Sequence, residues 1–218
     1  FNTMKILILD GYELNKDLNW KSLQELGDCT LYDRTPVNDN AEIIKRIKYA
    51  DIVITHKTPL DHEVISKTSR LKYIGIMGTG YDVVDIESAH QNKVVVTNIP
   101  TYASDAVAQF TFSLLLEVTS QVGLHNQLVH ENRWAQAPDF TFWEKPLLEL
   151  KGKTLGIIGY GHIAQKVAKI GHAFSMKVIF YNHRPKKVPE SWIQQVSFDE
   201  LLRQSAVLWL MKRTSRMP

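Results

Sequence analysis

The stretch Thr154-Leu155-Gly156-Ile157-Ile158-Gly159-Tyr160-Gly161-His162-Ile163-Ala164 decides the fold. An apolar run of strand length ends in a Gly-x-Gly-x-x-Ala turn, and a helix reaching to about His172 follows. The glycine pattern alone is weak evidence. A strand before it and a helix after it are the context that gives it meaning. Gly159 permits the tight turn, Gly161 lets backbone approach a pyrophosphate with no Cβ in the way, and Ala164 lets the helix pack close to its strand. The helix start offers unpaired N–H groups and partial positive charge to phosphates. The turn therefore reads as a dinucleotide site; the bland alternative is a glycine turn that binds nothing.

The test of that reading lies at the end of the next strand, Lys177–Tyr181, where an acidic residue would hold a ribose 2′-hydroxyl. This chain has Asn182-His183-Arg184 there and no acid. Asn182 can still hydrogen-bond a hydroxyl, whereas Arg184 with Lys186 or Lys187 can pair with a 2′-phosphate. The choice between NAD and NADP tilts toward NADP. A solvated Arg184 is the plain alternative. Further along, Ser197-Phe198-Asp199-Glu200 is a capping box opening a short helix, and Ala206–Met211 reads as a third strand.

Upstream of this unit, Lys5–Asp10, Thr30–Asp33, Ile52–His56, Tyr73–Gly78 and Val94–Asn98 are short apolar runs suited to buried strands. Between them Ala41–Tyr49 sets Ile43, Ile44 and Ile47 on one helical face, and Asp61 and Asp85 are N-cap candidates for helices through Ile65 and His90. Strands alternating with helices imply α/β architecture with doubly wound parallel sheets. The rhythm breaks after Asn98-Ile99-Pro100, so residues 1–99 form one domain and 100–218 a second. Ser104 is expected to cap a long helix with Val107, Phe110, Leu114, Val118 and Val122 at helical spacing. The aromatic-rich stretch 123–150 has no regular period; it reads as an arm for a second subunit or as local packing.

Composition sets the outer limits. The 218 residues are 44% hydrophobic and 22% charged, an ordinary globular mixture. The formal charge of +3 is matched by Lys212, Arg213 and Arg216 alone. No clustered basic face precedes that tail, so nucleic acid is not an expected partner. The single Cys29 excludes a disulfide framework and a multi-cysteine metal site, and fits a reducing compartment. No apolar run approaches the roughly 18 residues of a membrane span. A soluble cytoplasmic protein, starting naturally at Met4, is the expectation.

Several segments outside the glycine turn resemble the D-isomer-specific 2-hydroxyacid dehydrogenases, in particular the glycerate dehydrogenase/hydroxypyruvate reductase group. They are Lys57-Thr58-Pro59-Leu60, Gly78-Thr79-Gly80-Tyr81-Asp82-Val83-Val84-Asp85, Val95–Pro100, Ser104–Gln109, Pro138–Trp143 and Leu150–Gly159. The resemblance runs from about Met4 to about Ser205. It implies a flavodoxin-like substrate domain and a Rossmann domain with the active site in the cleft between them. It also implies hydride transfer between NAD or NADP and a small 2-keto or 2-hydroxy acid. Thr79 and Gly80 would present N–H groups to the substrate carboxylate, Lys57 would line the same cleft, and His162 and Ile163 would stand at the phosphates. Family members usually carry Arg where this chain has His162, a weaker and pH-sensitive phosphate partner. A homodimer through the 123–150 arm is the expected assembly.

The family's catalytic Arg, Glu and His lie beyond the third Rossmann strand, and no residue here matches them. His56 and His62 fall near the predicted cleft but read as structural. Leu208–Arg216 departs from the family pattern, as a shifted frame or early stop would. The expectation is a truncated chain whose Rossmann domain keeps three of roughly six strands, with impaired activity. The alternative is a non-catalytic dinucleotide-binding and oligomerisation module.

Overall fold

The computed structural model describes residues 3–14 and 18–211, and its backbone falls into two units that part between Tyr102 and Ala103. Phe1, Asn2 and the basic tail residues Lys212, Arg213 and Arg216 lie outside the described residues.

The first unit alternates β1 (Lys5–Ile8), α1 (Lys21–Gln24), β2 (Asp28–Leu31), α2 (Asn40–Ile47), β3 (Ile52–Thr55), α3 (His62–Ser66), β4 (Tyr73–Ile76), α4 (Ile86–Gln91) and β5 (Val95–Thr97). Its sheet has the order β2-β1-β3-β4-β5, and every pairing is parallel. Helices cover both faces of such a sheet, so the central strands are apolar throughout: Ile6, Leu7, Ile8 and Leu9 are all buried. Each of these side chains contributes about 1.5–3 kcal/mol by leaving water. Asp39, Asp61 and Asp85 cap α2, α3 and α4, accepting from the N–H of Glu42, Val64 and Ser88. In this order the chain leaves β1 toward β2 on one side and returns to β3 on the other, so the strand ends diverge between β1 and β3 and open a crevice.

The second unit opens with α5 (Ser104–Ser120) and α6 (Val122–His130), then builds β6 (Thr154–Ile158), α7 (His162–Ala173), β7 (Lys177–Tyr181), β8 (Ile193–Gln195), α8 (Phe198–Gln204) and β9 (Val207–Leu210). The parallel sheet has the order β8-β7-β6-β9, which is the 3-2-1-4 half of a doubly wound nucleotide fold. Four strands are present among the described residues, one more than expected. β8 escaped sequence reading because Ile193-Gln194-Gln195 carries one apolar residue, and pairing with β7 rather than composition makes it a strand. α7 lies close on β6: a Cβ at Gly171 would stand 2.6 Å from Leu155 Cδ2, and Ala164 and Ala168 are buried in the same seam.

Two further expectations are corrected. Ser104 does not cap α5; it is the first helical residue and is buried, while Ala103 occupies the cap position with no side-chain bond. The opening of the 123–150 arm is not irregular, since α6 runs through Val122–His130. The period there is weak because the helix buries none of its residues. Helix α5 turns Ala108, Phe112 and Thr119 to the core, whereas the stripe Phe110, Leu114 and Val118 is exposed, Val118 at 74%.

Candidate functional site

In the second unit the carboxyl end of β6 leads into the glycine turn. Gly159 has φ +82°, a left-handed conformation that an L side chain adopts only at a cost. Gly161 precedes α7 at φ −86°, ψ −169°, and caps it without any side-chain bond. A Cβ on either glycine would meet nothing within 4 Å, so the turn faces open space. Among the described residues no acceptor takes the N–H groups of His162, Ile163 or Ala164. Three donors at the positive end of a twelve-residue helix, with clearance in front of them, fit a diphosphate. The Ile163 side chain packs on the core, which leaves only its N–H for a ligand, and His162 is exposed.

The loop after β7 reaches the same turn. Gly159 N–H donates to the Tyr181 carbonyl at 2.8 Å, and Lys186 Nζ donates to the Tyr160 carbonyl at 2.5 Å. Tyr160 is anchored by stacking on Phe180 at 4.3 Å, and burial, with Glu190 nearby, pushes its phenol up. Asn182 Nδ2 donates to the Arg184 carbonyl, and the Gln195 amide bonds the carbonyls of Asn182 and Arg184 and the N–H of Lys186. The amide nitrogen of Asn182 is thus used in shaping the loop, and its Oδ1 remains for a hydroxyl donor. His183 and Arg184 are exposed, and Arg184 has no ion-pair partner among the described residues.

The first unit presents a second loop cluster. Asp10, just beyond β1, accepts from the N–H groups of His56 (2.8 Å), Lys57 (2.7 Å) and Thr58 (2.7 Å), and from the hydroxyls of Thr58 and Thr55. One carboxylate therefore fills the anion nest at the end of β3. Lys57 contributes only its side chain, and Glu13 pairs with that ammonium. The Lys57 ammonium, with His56, holds the Glu13 carboxyl below its ordinary range. A cavity of about 200 Å³ lies here, lined by Asp10, Glu13, Arg34, His56 and Lys57 among others.

The Gly78-Thr79-Gly80 loop after β4 is different. It is braced from behind: Thr79 Oγ1 donates to the Ile99 carbonyl at 3.0 Å, Asn98 Nδ2 to the Thr79 carbonyl at 2.8 Å, and Ile99 N–H to the Gly78 carbonyl. The N–H groups of Thr79 and Gly80 have no acceptor among the described residues. A small carboxylate suits that pair. His62, by contrast, bonds Ser88 on α4 at 2.9 Å and serves helix packing.

The catalytic-domain model of the D-isomer specific 2-hydroxyacid dehydrogenases matches residues 6–205. This chain belongs to that family. It is 48% identical over 209 residues to a hydroxypyruvate reductase of Blautia hydrogenotrophica, covering 95% of this chain and 65% of that protein. It is 31% identical over 192 residues to a glyoxylate reductase of Thermococcus litoralis, covering 85% and 57%. Among solved structures, an acyclic imino acid reductase in complex with NADPH and D-Arg matches with TM-score 0.74 and 33% identity, covering 97% of this chain and 66% of that one. A glyoxylate reductase from Paecilomyes thermophila matches with TM-score 0.74 and 26% identity, covering 99% and 67%. The chain thus spans 57–65% of the length of these curated relatives.

As a 2-hydroxyacid dehydrogenase family member, the chain groups Gly159, Gly161, His162 and Ile163 with Asn182, His183 and Arg184 at the carboxyl end of one sheet. Thr79, Gly80 and Lys57 stand at the carboxyl end of the other. Sequence reasoning missed Asp10, Glu13 and Gln195. Asp10 carried a signal, an acidic residue directly after a buried strand and before Gly11. Glu13 and Gln195 carried none, because their roles depend on loops distant in the chain.

Proposed function

We propose that this chain serves the NAD(P)-dependent interconversion of a small 2-keto acid, of the hydroxypyruvate or glyoxylate type, and its D-2-hydroxy acid. The observation that carries the reading is the open glycine turn at the β6/β9 switch point, with three unpaired N–H groups at the start of α7. Gly161, His162 and Ile163 would hold the diphosphate, the last two through backbone donors, while Gly159, its N–H spent on the Tyr181 carbonyl, would shape the turn beneath it. Asn182 Oδ1 would accept from the ribose. No acid stands at residues 182–184, directly after β7, and Arg184 and Lys186 bring two cations there, which supports NADP over NAD. The coenzyme supplies the hydride when bound. Thr79 and Gly80 would orient the substrate by its carboxylate, and Lys57 would add positive charge beside it.

The reading includes a homodimer. The support for that is the exposed stripe Phe110, Leu114 and Val118 on α5, and the arm residues Phe140, 91% exposed, and Trp143. Phe142 packs locally between His125 and Trp134, so the arm keeps its own shape while presenting those neighbours. The lone Cys29 suits a reducing compartment such as the cytoplasm.

The test is calorimetric titration with NADPH and NADH, followed by absorbance at the nicotinamide band after adding hydroxypyruvate. Saturable binding, tighter for NADPH, with oxidation in the presence of hydroxypyruvate is the expected result. No binding of either coenzyme overturns the proposal. Binding without any turnover favours the non-catalytic module.

A further inference from the structure

His56 joins two loops of the first unit that sequence reading treats separately. Its N–H is pinned on Asp10, which fixes the backbone at the end of β3. Its ring nitrogen Nδ1 lies 3.0 Å from Glu13 Oε2. The opposite edge of the ring lies on Gly78: a Cβ there would stand 3.4 Å from His56 Cδ2 and 3.6 Å from Nε2. The imidazole therefore spans from the Glu13 carboxylate to the residue directly before Thr79, whose N–H is unpaired. Among the described residues Nε2 has no hydrogen-bond partner.

A carboxylate on one ring nitrogen holds the N–H there and orients the ring, so the second nitrogen is the one left for a ligand. When both nitrogens carry protons, the ring is a charged donor and Glu13 stabilises that charge. We propose that His56 is a further substrate-binding residue, donating through Nε2–H to the carboxylate that Thr79 and Gly80 hold, with Glu13 as its positioning residue. The inference rests on the assignment of that loop to the substrate carboxylate. The charged groups around the ring are Glu13 from the β1 loop, Lys57 beside it in the chain, Asp33 and Arg34 after β2, which line the same cavity, and Asp10, whose oxygens are taken up by the β3 loop. From the β4 side comes Asp82, whose Oδ1 would lie 3.0 Å from a Cβ at Gly80. With Nδ1–H held by Glu13, an Nε2–H donor exists only in the doubly protonated ring, so an anion at Nε2 would select that form.

The experiment is titration calorimetry of this chain with glyoxylate at pH 6 and pH 8, in pairs of buffers that differ in ionisation enthalpy. Wild-type protein is expected to take up a proton on binding and to bind about tenfold more tightly at the lower pH, in keeping with a charge-assisted hydrogen bond. His56→Gln, which keeps a neutral donor, is expected to bind with no pH dependence and no proton uptake. Glu13→Gln is expected to lose most of the uptake while leaving the fold intact. Proton uptake that persists in His56→Gln, or affinity in wild type that does not change with pH, overturns the proposal. Thr79→Pro, which removes one loop N–H, separates the two readings: binding that survives it and still depends on His56 refutes the loop assignment alone. Absence of glyoxylate binding in wild type refutes both.

Discussion

The glycine turn allows stability and binding to be perturbed independently. Gly161 has φ −86°, which any residue adopts, and a Cβ there meets no atom within 4 Å. Two small effects on folding oppose one another in Gly161→Ala. Ala reduces the freedom of the unfolded chain, worth about 0.4–1 kcal/mol, but is a poorer helix cap than Gly by a comparable amount, on the order of 0.5–1 kcal/mol. Thermal stability should therefore barely move. Binding should move a great deal, because the methyl occupies the clearance in front of the α7 N–H groups. Loss of one hydrogen bond to a charged phosphate costs about 1.5–3 kcal/mol, or roughly 10- to 150-fold in Kd. Gly159→Ala is the control of opposite sign. At φ +82° the left-handed backbone costs an L residue about 1–2 kcal/mol, so this variant should melt several degrees lower. Differential scanning fluorimetry and NADPH titration of the two variants check both halves. Wild-type NADPH affinity in a folded Gly161→Ala protein would refute the placement of the diphosphate on this turn.

Asp51, 7% exposed, accepts from the Lys5 N–H, Arg70 and Lys72, and these hold its carboxyl down to about 2, from an ordinary 3.8. A depressed carboxylate stabilises the fold above its unfolded value and loses that contribution as pH falls through about 2. Asp51→Asn should therefore cost about 2 kcal/mol at pH 7 by urea unfolding, and the gap to wild type should close between pH 4 and pH 2; a constant gap would count against it. Arg184→Gln should weaken NADPH roughly tenfold and leave NADH unchanged, as read by calorimetry; equal loss for both coenzymes would remove the 2′-phosphate assignment. Leu114→Asp, on the exposed stripe of α5, should convert a dimer to a folded monomer by analytical ultracentrifugation; a mass unchanged from a wild-type dimer would move the interface elsewhere.

Much of the site was readable along the chain because its chemistry is carried by short contiguous segments. Ile157-Ile158-Gly159-Tyr160-Gly161 carries the strand end, the left-handed glycine and the helix start of the candidate turn within five residues. Asp61, Asp85 and Ser197 cap their helices through bonds three residues long. Local interactions of this kind are encoded by spacing. The contacts of Asp10, Glu13 and His56 were not readable, since Asp10 stands 46 to 48 residues from the N–H groups it holds. No periodicity marks a pairing made by two strands meeting in a sheet.

Helix α5 marks the same boundary from the other side. Its spacing predicts a helix with an apolar stripe, and the helix is there, but the core takes Ala108 and Phe112 while Phe110, Leu114 and Val118 face outward. The apolar pattern on α5 surrounds much of the helix, so sequence determines that it is helical and not which side is buried. That choice belongs to β6 and α7, whose close seam at Leu155 and Gly171 admits the Phe112 ring. Sequence by itself determined the strand-turn-helix unit and the α/β class, and it marked the Gly159–Gly161 and Gly78–Gly80 loops as the candidates for binding anions. Only the tertiary structure decided strand order, the β8 pairing and the internal occupation of the β3 nest by Asp10, because those depend on which distant backbone donors a carboxylate can reach once the sheet has closed around it.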